Sequence, residues 1–235
     1  MKTTTTTTIM KSGAISPMRA DRLYWLGRYA ERVCMSLHLI RKFYNRMIDC
    51  PTGTVHHEFC ALMGLPAPTS DSETFLADYL YSRALPWSIF STLENLKNNA
   101  MLERDDIGSE TLAYIELACN KARDCASRGA GLYELQSVTD AVMAFWGAVG
   151  ENIRYRCIHD LIAIGRSVER ADLLIRFGYD TARIVNELER IADADENYLN
   201  LCDKATLDAL RCKVAEPDCN AKSDILLRLN GIFAA

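Results

Sequence analysis

No stretch of this 235-residue chain approaches the run of about 18 apolar residues that a membrane span needs, so no transmembrane segment is expected. The first eleven residues hold six consecutive threonines and two lysines but no apolar stretch, which argues against a secretory signal. A basic excess is missing too: 27 Lys and Arg face 31 Asp and Glu, a formal net charge of −4. A surface that tracks nucleic-acid phosphates normally shows as the opposite imbalance, so a general nucleic-acid binder is not expected. Nine cysteines are present, yet no CxxC pair occurs, and a zinc ribbon needs closely spaced pairs to close a tetrahedral site. The thiols read as reduced, small apolar residues of a cytoplasmic protein. Neither GxxxxGK[ST] nor GxGxxG occurs, so the chain lacks the usual loops for nucleotide phosphates. Glu-x-x-His, the unit of carboxylate-bridged metal sites in helical bundles, is absent as well. No metal ligand set and no cofactor site is therefore assigned. A Ser-His-Asp or Cys-His arrangement is not legible, since Cys157 and His159 are two apart and diverge on a helix.

Strand-like alternation is lacking throughout, and helical periodicity takes its place. Ser16 followed by Pro17 is a good helix start, with a capping hydroxyl and then a residue whose fixed φ suits the first turn. Beyond it Leu23, Leu26, Ala30, Val33, Leu37, Ile40, Tyr44 and Met47 recur at spacings of three and four. That seam predicts a long helix over about 16–48, closed by Pro51 and Gly53. Shorter helices are expected at 55–63, from Ser70 to Tyr81, at 87–104, at 110–127 and from about Glu134, where Gly147 and Gly150 weaken the end. A second very long helix is expected over about 151–190, and two more close the chain at 198–214 and 223–233. The fold class is thus all-α: a single bundle built on the two long helices, with 1–13 a disordered Thr-rich tail and 14–235 one helical domain.

The two long segments share a local pattern. Leu23-Tyr24-Trp25-Leu26-Gly27-Arg28-Tyr29-Ala30-Glu31-Arg32 and Leu161-Ile162-Ala163-Ile164-Gly165-Arg166-Ser167-Val168-Glu169-Arg170 both read Leu-x-x-[Leu/Ile]-Gly-Arg-x-x-Glu-Arg. Glycine inside a helix costs about 1 kcal/mol relative to alanine, so it usually marks close backbone approach. One at the same point of both motifs predicts that the helices cross there. At about 100° per residue, Glu31 and Glu169 fall roughly 120° off their seams. One reading makes Arg28–Glu31 and Arg166–Glu169 solvated pairs within each helix, worth a few tenths of a kcal/mol. The other makes them a partly buried cluster between the helices, and the recurrence beside Tyr24 and Trp25 favours it.

The stretch from Arg19 to Arg32, together with Ile164-Gly165-Arg166-Ser167-Val168-Glu169-Arg170-Ala171-Asp172, resembles the two motifs of the bacterial alpha-E domain family. Pro86, Ser88, Ile89 and the run Ser109-Glu110-Thr111-Leu112 are similar to family residues in between, so the likeness spans about 15–230. One departure stands out: where members carry Arg-Glu-Asn-Ala-Arg, this chain has Lys97-Asn98-Asn99-Ala100-Met101. The resemblance implies an all-helical protein that works with circularly permuted ATP-grasp peptide ligases, and often with transglutaminase-like proteins.

Two functions follow from residues and resemblance together. The first is an accessory subunit that binds a partner protein or charged peptide through Tyr24, Trp25, Arg28, Glu31, Arg32, Arg166, Glu169, Arg170 and Asp172, since guanidinium forks match carboxylates. The second is an enzyme acting on amide-linked peptides with Glu31 or Glu169 as general acid or base. Burial would raise such a carboxyl's pKa, and a flanking arginine would lower it.

Overall fold

The computed structural model describes residues 15–49, 53–198, 201–215 and 221–233. The tail expected over 1–13 lies outside them. Eleven α-helices make up the described chain: α1 (Pro17–Asp49), α2 (Val55–Met63), α3 (Ser72–Tyr81), α4 (Ile89–Leu102), α5 (Arg104–Ile107), α6 (Ser109–Ser127), α7 (Gln136–Asn152), α8 (Arg156–Arg176), α9 (Thr181–Tyr198), α10 (Lys204–Ala215) and α11 (Ala221–Asn230). Among the described residues there is no strand, only one isolated antiparallel bridge between Cys202 and Phe233. The all-α expectation holds. No helix among them is long and apolar enough to cross a membrane.

Helix α1 begins as the sequence implies, with Ser16 Oγ accepting from the Arg19 amide at 3.4 Å and Pro17 in the first turn. Its seam is the centre of the core: Leu23, Leu26, Ala30, Val33, Leu37 and Ile40 are all 0–1% exposed. The matching seam of α8, Leu161, Ile164, Val168 and Ala171, is equally buried. These two stripes face each other, and α1 packs more extensively on α8 than on any other element. Helices α4, α2 and α7 cover further sides of α1, while α9 and α11 cover α8. Because α1 is surrounded, positions well off its seam, such as Met35 and Leu39, are buried too.

The second long helix expected over 151–190 is instead parts of three. Helix α7 runs through Gly147 and Gly150 to Asn152, and an extended turn precedes α8. Helix α8 stops at Arg176 because Gly178 takes a left-handed φ of 64°, and Asp180 Oδ1 then accepts from the Ala182 amide to start α9. The chain folds back there, which lets α9 pack along α8. Asp193 and Asp195 do not end α9, which continues to Tyr198. Asp195 instead turns inward, and its Oδ1 accepts from the Leu201 and Cys202 amides, fixing the entry to α10. The cap of α3 is Asp71 rather than Ser70, and that of α4 is Ser88, past Pro86 and Trp87.

At the crossing, the backbones of α1 and α8 touch. A Cβ on Gly27 would lie 2.0 Å from the Ile162 carbonyl oxygen, and one on Gly165 would lie 2.0 Å from the Tyr24 carbonyl oxygen. Ile162 stands three residues before Gly165 as Tyr24 stands three before Gly27, so the two contacts are related by a local two-fold exchange. Both obstacles are helical backbone, which cannot rotate aside. The helices can therefore approach only where both positions are glycine.

This sets Gly27 and Gly165 apart from Gly147 and Gly150, beside which an added Cβ would meet nothing within 4 Å. We expect Gly27→Ala or Gly165→Ala to lower stability by about 3 kcal/mol, outweighing the ~1 kcal/mol that alanine gains in a helix. Thermal melts should fall by roughly 6–12 °C for a chain of this size. Gly147→Ala and Gly150→Ala should leave the melt unchanged or raise it. Equal behaviour of the two pairs contradicts the crossing.

Candidate functional site

The charged residues of the two motifs meet across the crossing, not within each helix. Glu169 of α8 accepts from Arg28 Nε at 2.8 Å, from Arg32 Nε at 2.6 Å and from Arg32 Nη2 at 2.9 Å, all from α1. Glu31 of α1 reciprocates, accepting from Arg166 Nε at 3.1 Å and forming an ion pair with Arg170 Nε at 3.2 Å, both from α8. The hydrogen-bonded partners differ in number by 135 to 141, close to the 138 that separates Gly165 from Gly27 (165 − 27). A constant difference means that α1 and α8 run side by side in the same direction. The local two-fold exchange thus extends from the glycines to the charges. Each Gly-Arg-x-x-Glu-Arg motif supplies two guanidinium groups to the other's carboxylate.

Both glutamates are buried, Glu31 at 2% and Glu169 at 1% exposure, although they lie off the seams. The reason is that α1 and α8 are covered on several sides. The nine residues singled out from the sequence form two half-clusters rather than one. On one flank stand Tyr24, Trp25, Arg28, Arg32, Glu169 and Asp172, and on the other Glu31, Arg166 and Arg170. In both, the first arginine also lies over an indole: Arg28 is 4.8 Å from the Trp25 ring and Arg166 4.2 Å from the Trp146 ring. Such stacking holds the guanidinium plane while its edge meets the carboxylate.

The flanks differ in depth. Arg28 is buried, and besides Glu169 it donates to Asn230 Oδ1 at 2.8 Å and lies 3.5 Å from the Tyr24 hydroxyl. The Tyr24 ring is stacked by Phe233 at 4.5 Å, so the C-terminal segment closes this side. Asp172 accepts from Arg176 Nε at 2.6 Å and from Asn230 Nδ2 at 2.9 Å. On the Glu31 side, by contrast, both arginines are about a third exposed, at 33% for Arg166 and 32% for Arg170.

The two carboxyls titrate in opposite directions. Burial works to raise the pKa of Glu169, but Arg32 and Arg28 outweigh it and hold the group below the usual carboxylate range. Burial of Glu31 is only partly offset by Arg170 and Arg166, with Glu187 adding like charge, so its pKa stays above the ordinary value. Burial, with the Glu31 carboxylate beside it, also pushes the Cys34 thiol up to about 12, so no thiolate nucleophile stands there at neutral pH. Among the described residues no group of three His, Cys, Asp or Glu is placed to hold a metal ion.

A cleft of about 320 Å³ opens beside Glu169, lined by α1, α2, α4, α8 and α11. It includes Trp87, Arg176 and Asn230, none of which had been singled out as a site residue. Trp87 reads as core from its apolar face, yet it is half-buried at the cleft wall. Arg176 carried a signal, four residues after Asp172 on the same helix face. Asn230 carried none, because tertiary packing of the last helix alone brings it there. The departures Asn98 and Met101 are exposed on α4 and line neither half-cluster, while Asn99 faces α1 and donates to the Arg22 carbonyl.

Residues 17–210 match the model of a family described as a predicted alpha-helical domain with a conserved ER motif. No curated protein and no solved structure matches the chain. Glu31-Arg32 and Glu169-Arg170 are Glu-Arg pairs within the repeated motif, and all four side chains belong to the exchange.

The asymmetry fixes an expected outcome for stability. Glu169→Gln strands buried Arg28 and should cost about 3–5 kcal/mol at neutral pH. Glu31→Gln removes a carboxylate whose burial its arginines only partly offset, and it should cost clearly less than Glu169→Gln. Glu169 has a lowered folded pKa, so its contribution is complete above the ordinary carboxylate range and is lost as pH falls through that lowered value. The deficit of Glu169→Gln should therefore shrink in acid. For Glu31 the sign reverses, because stability falls as pH rises from the ordinary range through its raised pKa. The deficit of Glu31→Gln should shrink above that value. Denaturant melts across the pH range check this, and equal costs or parallel pH trends contradict it.

Proposed function

The chain belongs to that family, Alpha-E, and from this premise we propose that it is an accessory, binding subunit of an ATP-grasp-type peptide amide-ligase system. In this reading it takes a partner protein or charged peptide against the Arg/Glu half-clusters, and a transglutaminase-like protein is a second candidate partner. One observation carries the reading. Each half-cluster sets one carboxylate between two guanidinium groups, and the outer sides of Arg32, Arg166 and Arg170 are about a third exposed, at 34%, 33% and 32%. Guanidinium groups already oriented by a buried carboxylate lose little freedom on meeting a second anion. The link to ATP-grasp ligases comes from the resemblance of the motifs. Fixed donors, a protonated Cys34 thiol and, among the described residues of the half-clusters, no placed nucleophile support recognition over catalysis.

The enzyme reading has one observation on its side, the raised pKa of Glu31, which suits a general acid. Glu169, held ionised by two arginines and with all its near donors inside the protein, suits that role poorly.

Co-expression with the ATP-grasp-type ligase of the same host tests the proposal. We expect a complex that survives gel filtration and weakens with salt. Replacing Arg166 and Arg170 by Gln should weaken it at least tenfold, with the fold unchanged by circular dichroism. Undiminished binding by that folded variant removes the Glu31 flank as a docking surface. Turnover of an amide-linked peptide by the isolated chain, lost in Glu31→Gln, establishes the enzyme reading instead.

A further inference from the structure

The cleft beside Glu169 offers unused guanidinium donors to a ligand, while each of its carboxylate oxygens is already engaged. Both Glu169 oxygens are occupied by Arg28 and Arg32, and both Asp172 oxygens by Arg176 and Asn230. The donors are not used up. Among the described residues Arg32 Nη1 has no hydrogen-bond partner, and neither does Arg176 Nη1 or Nη2. Arg32 is 34% and Arg176 26% exposed, and both line the same cleft. Formal charge agrees: Arg28, Arg32 and Arg176 stand against Glu169 and Asp172, one positive charge in excess.

The position of Arg176 is built rather than incidental. Its Nε is held by Asp172, which Asn230 holds in turn, and Asn230 also fixes Arg28. Its Nη1 lies against Gly64 at the end of α2, where a Cβ would stand 2.6 Å away. The lining also includes the apolar side chains of Trp87, Leu65, Ile89 and Leu173. At about 320 Å³ the cleft falls at the lower end of the ~300–1,000 Å³ typical of small-molecule sites. That is room for more than a lone ion.

We propose that this cleft binds the carboxylate of a peptide, with Arg32 and Arg176 gripping the anion and the Trp87 wall receiving the adjoining residue. A single negative charge matches the single excess positive charge, which favours a carboxylate over a phosphate dianion. Paired guanidinium groups with free, planar N–H edges suit carboxylate oxygens. The proposal rests on the reading of the chain as a peptide-binding subunit, and it names the charged group taken and its seat.

Titration calorimetry on the full chain tests it with N-acetyl-trialanine, its C-terminal amide, and trialanine amide, which carries only a free amine. We expect the acid to bind and both amides to bind at least tenfold more weakly. N-acetylglutamate α-amide separates the sources: binding at least as tight as the acid's assigns a side-chain carboxylate, and weaker binding assigns the C-terminus. Arg176→Met should weaken the acid at least tenfold, whereas Arg123→Met, in a surface pair on α6 outside the cleft, should leave it within twofold. The acid–amide comparison needs no variant and holds even if Arg176→Met folds poorly. Equal binding of acid and amide, preference for the amine, tighter binding of orthophosphate than of the acid, or no binding at millimolar concentration each overturns the proposal. None of these results alters the partner complex that depends on Arg166 and Arg170, so the two readings fail separately.

Discussion

The contact between the backbones of α1 and α8 at Gly27 and Gly165 governs the rest of the molecule. With either glycine replaced, a Cβ would meet a carbonyl oxygen at 2.0 Å, so no other pair of residues lets these helices approach as closely. The approach has two consequences. It seals the seams of Leu23, Leu26, Ala30 and Val33 against those of Leu161, Ile164 and Val168, which are 0% exposed. It also brings residues one and five positions past each glycine within reach of the glutamate four past the other. A buried carboxylate would be costly alone, and each is made tolerable by two arginines from the opposite helix. The ion pairs therefore act less as a source of stability than as a register lock, since a slip of one residue would strand both carboxylates.

That arrangement explains why the same motif occurs twice. Two helices running in one direction and related by a local two-fold exchange present the same positions to each other, so one sequence pattern satisfies both sides. The surroundings then break the symmetry. The C-terminal segment covers one flank, burying Arg28 through Asn230 and stacking Phe233 on Tyr24, while the other keeps Arg166 and Arg170 partly open to water. The opposite pKa directions of Glu169 and Glu31 follow from their partners. Arg32 and Arg28 outweigh burial at Glu169, whereas Arg170 and Arg166 offset it only in part at Glu31, where Glu187 adds like charge. One repeated motif thereby yields two chemically distinct surfaces.

Much of this was legible in the residues, and the limits are physical. The seam of α1 and the two glycines could be read because helical periodicity and the cost of glycine are local signals. The pairing partners of Glu31 and Glu169 could not: spacing within a helix favours Arg28–Glu31, and only the parallel register decides for Arg28–Glu169. The break at Gly178 was missed because the apolar pattern continues on both sides of it, and a left-handed turn needs only the glycine and the Asp180 cap. Gly147 and Gly150 face outward where a helix tolerates them, and α7 ends two residues past Gly150, near the expected end. Arg176, Asn230 and Trp87 come from three distant segments, α8, α11 and the turn before α4, and no local pattern assembles a cleft from such pieces.

The central claim is that the arginines of each motif serve the carboxylate of the other helix. A double-mutant cycle measures it directly, using Arg28→Met with Glu169→Gln and, separately, Arg28→Met with Glu31→Gln in denaturant melts. The account predicts a coupling of about 2 kcal/mol or more for Arg28 with Glu169, and one within about 0.5 kcal/mol of zero for Arg28 with Glu31. Strong coupling of Arg28 to Glu31 with none to Glu169 would mean that the charges pair within α1, and the exchange between helices would be wrong.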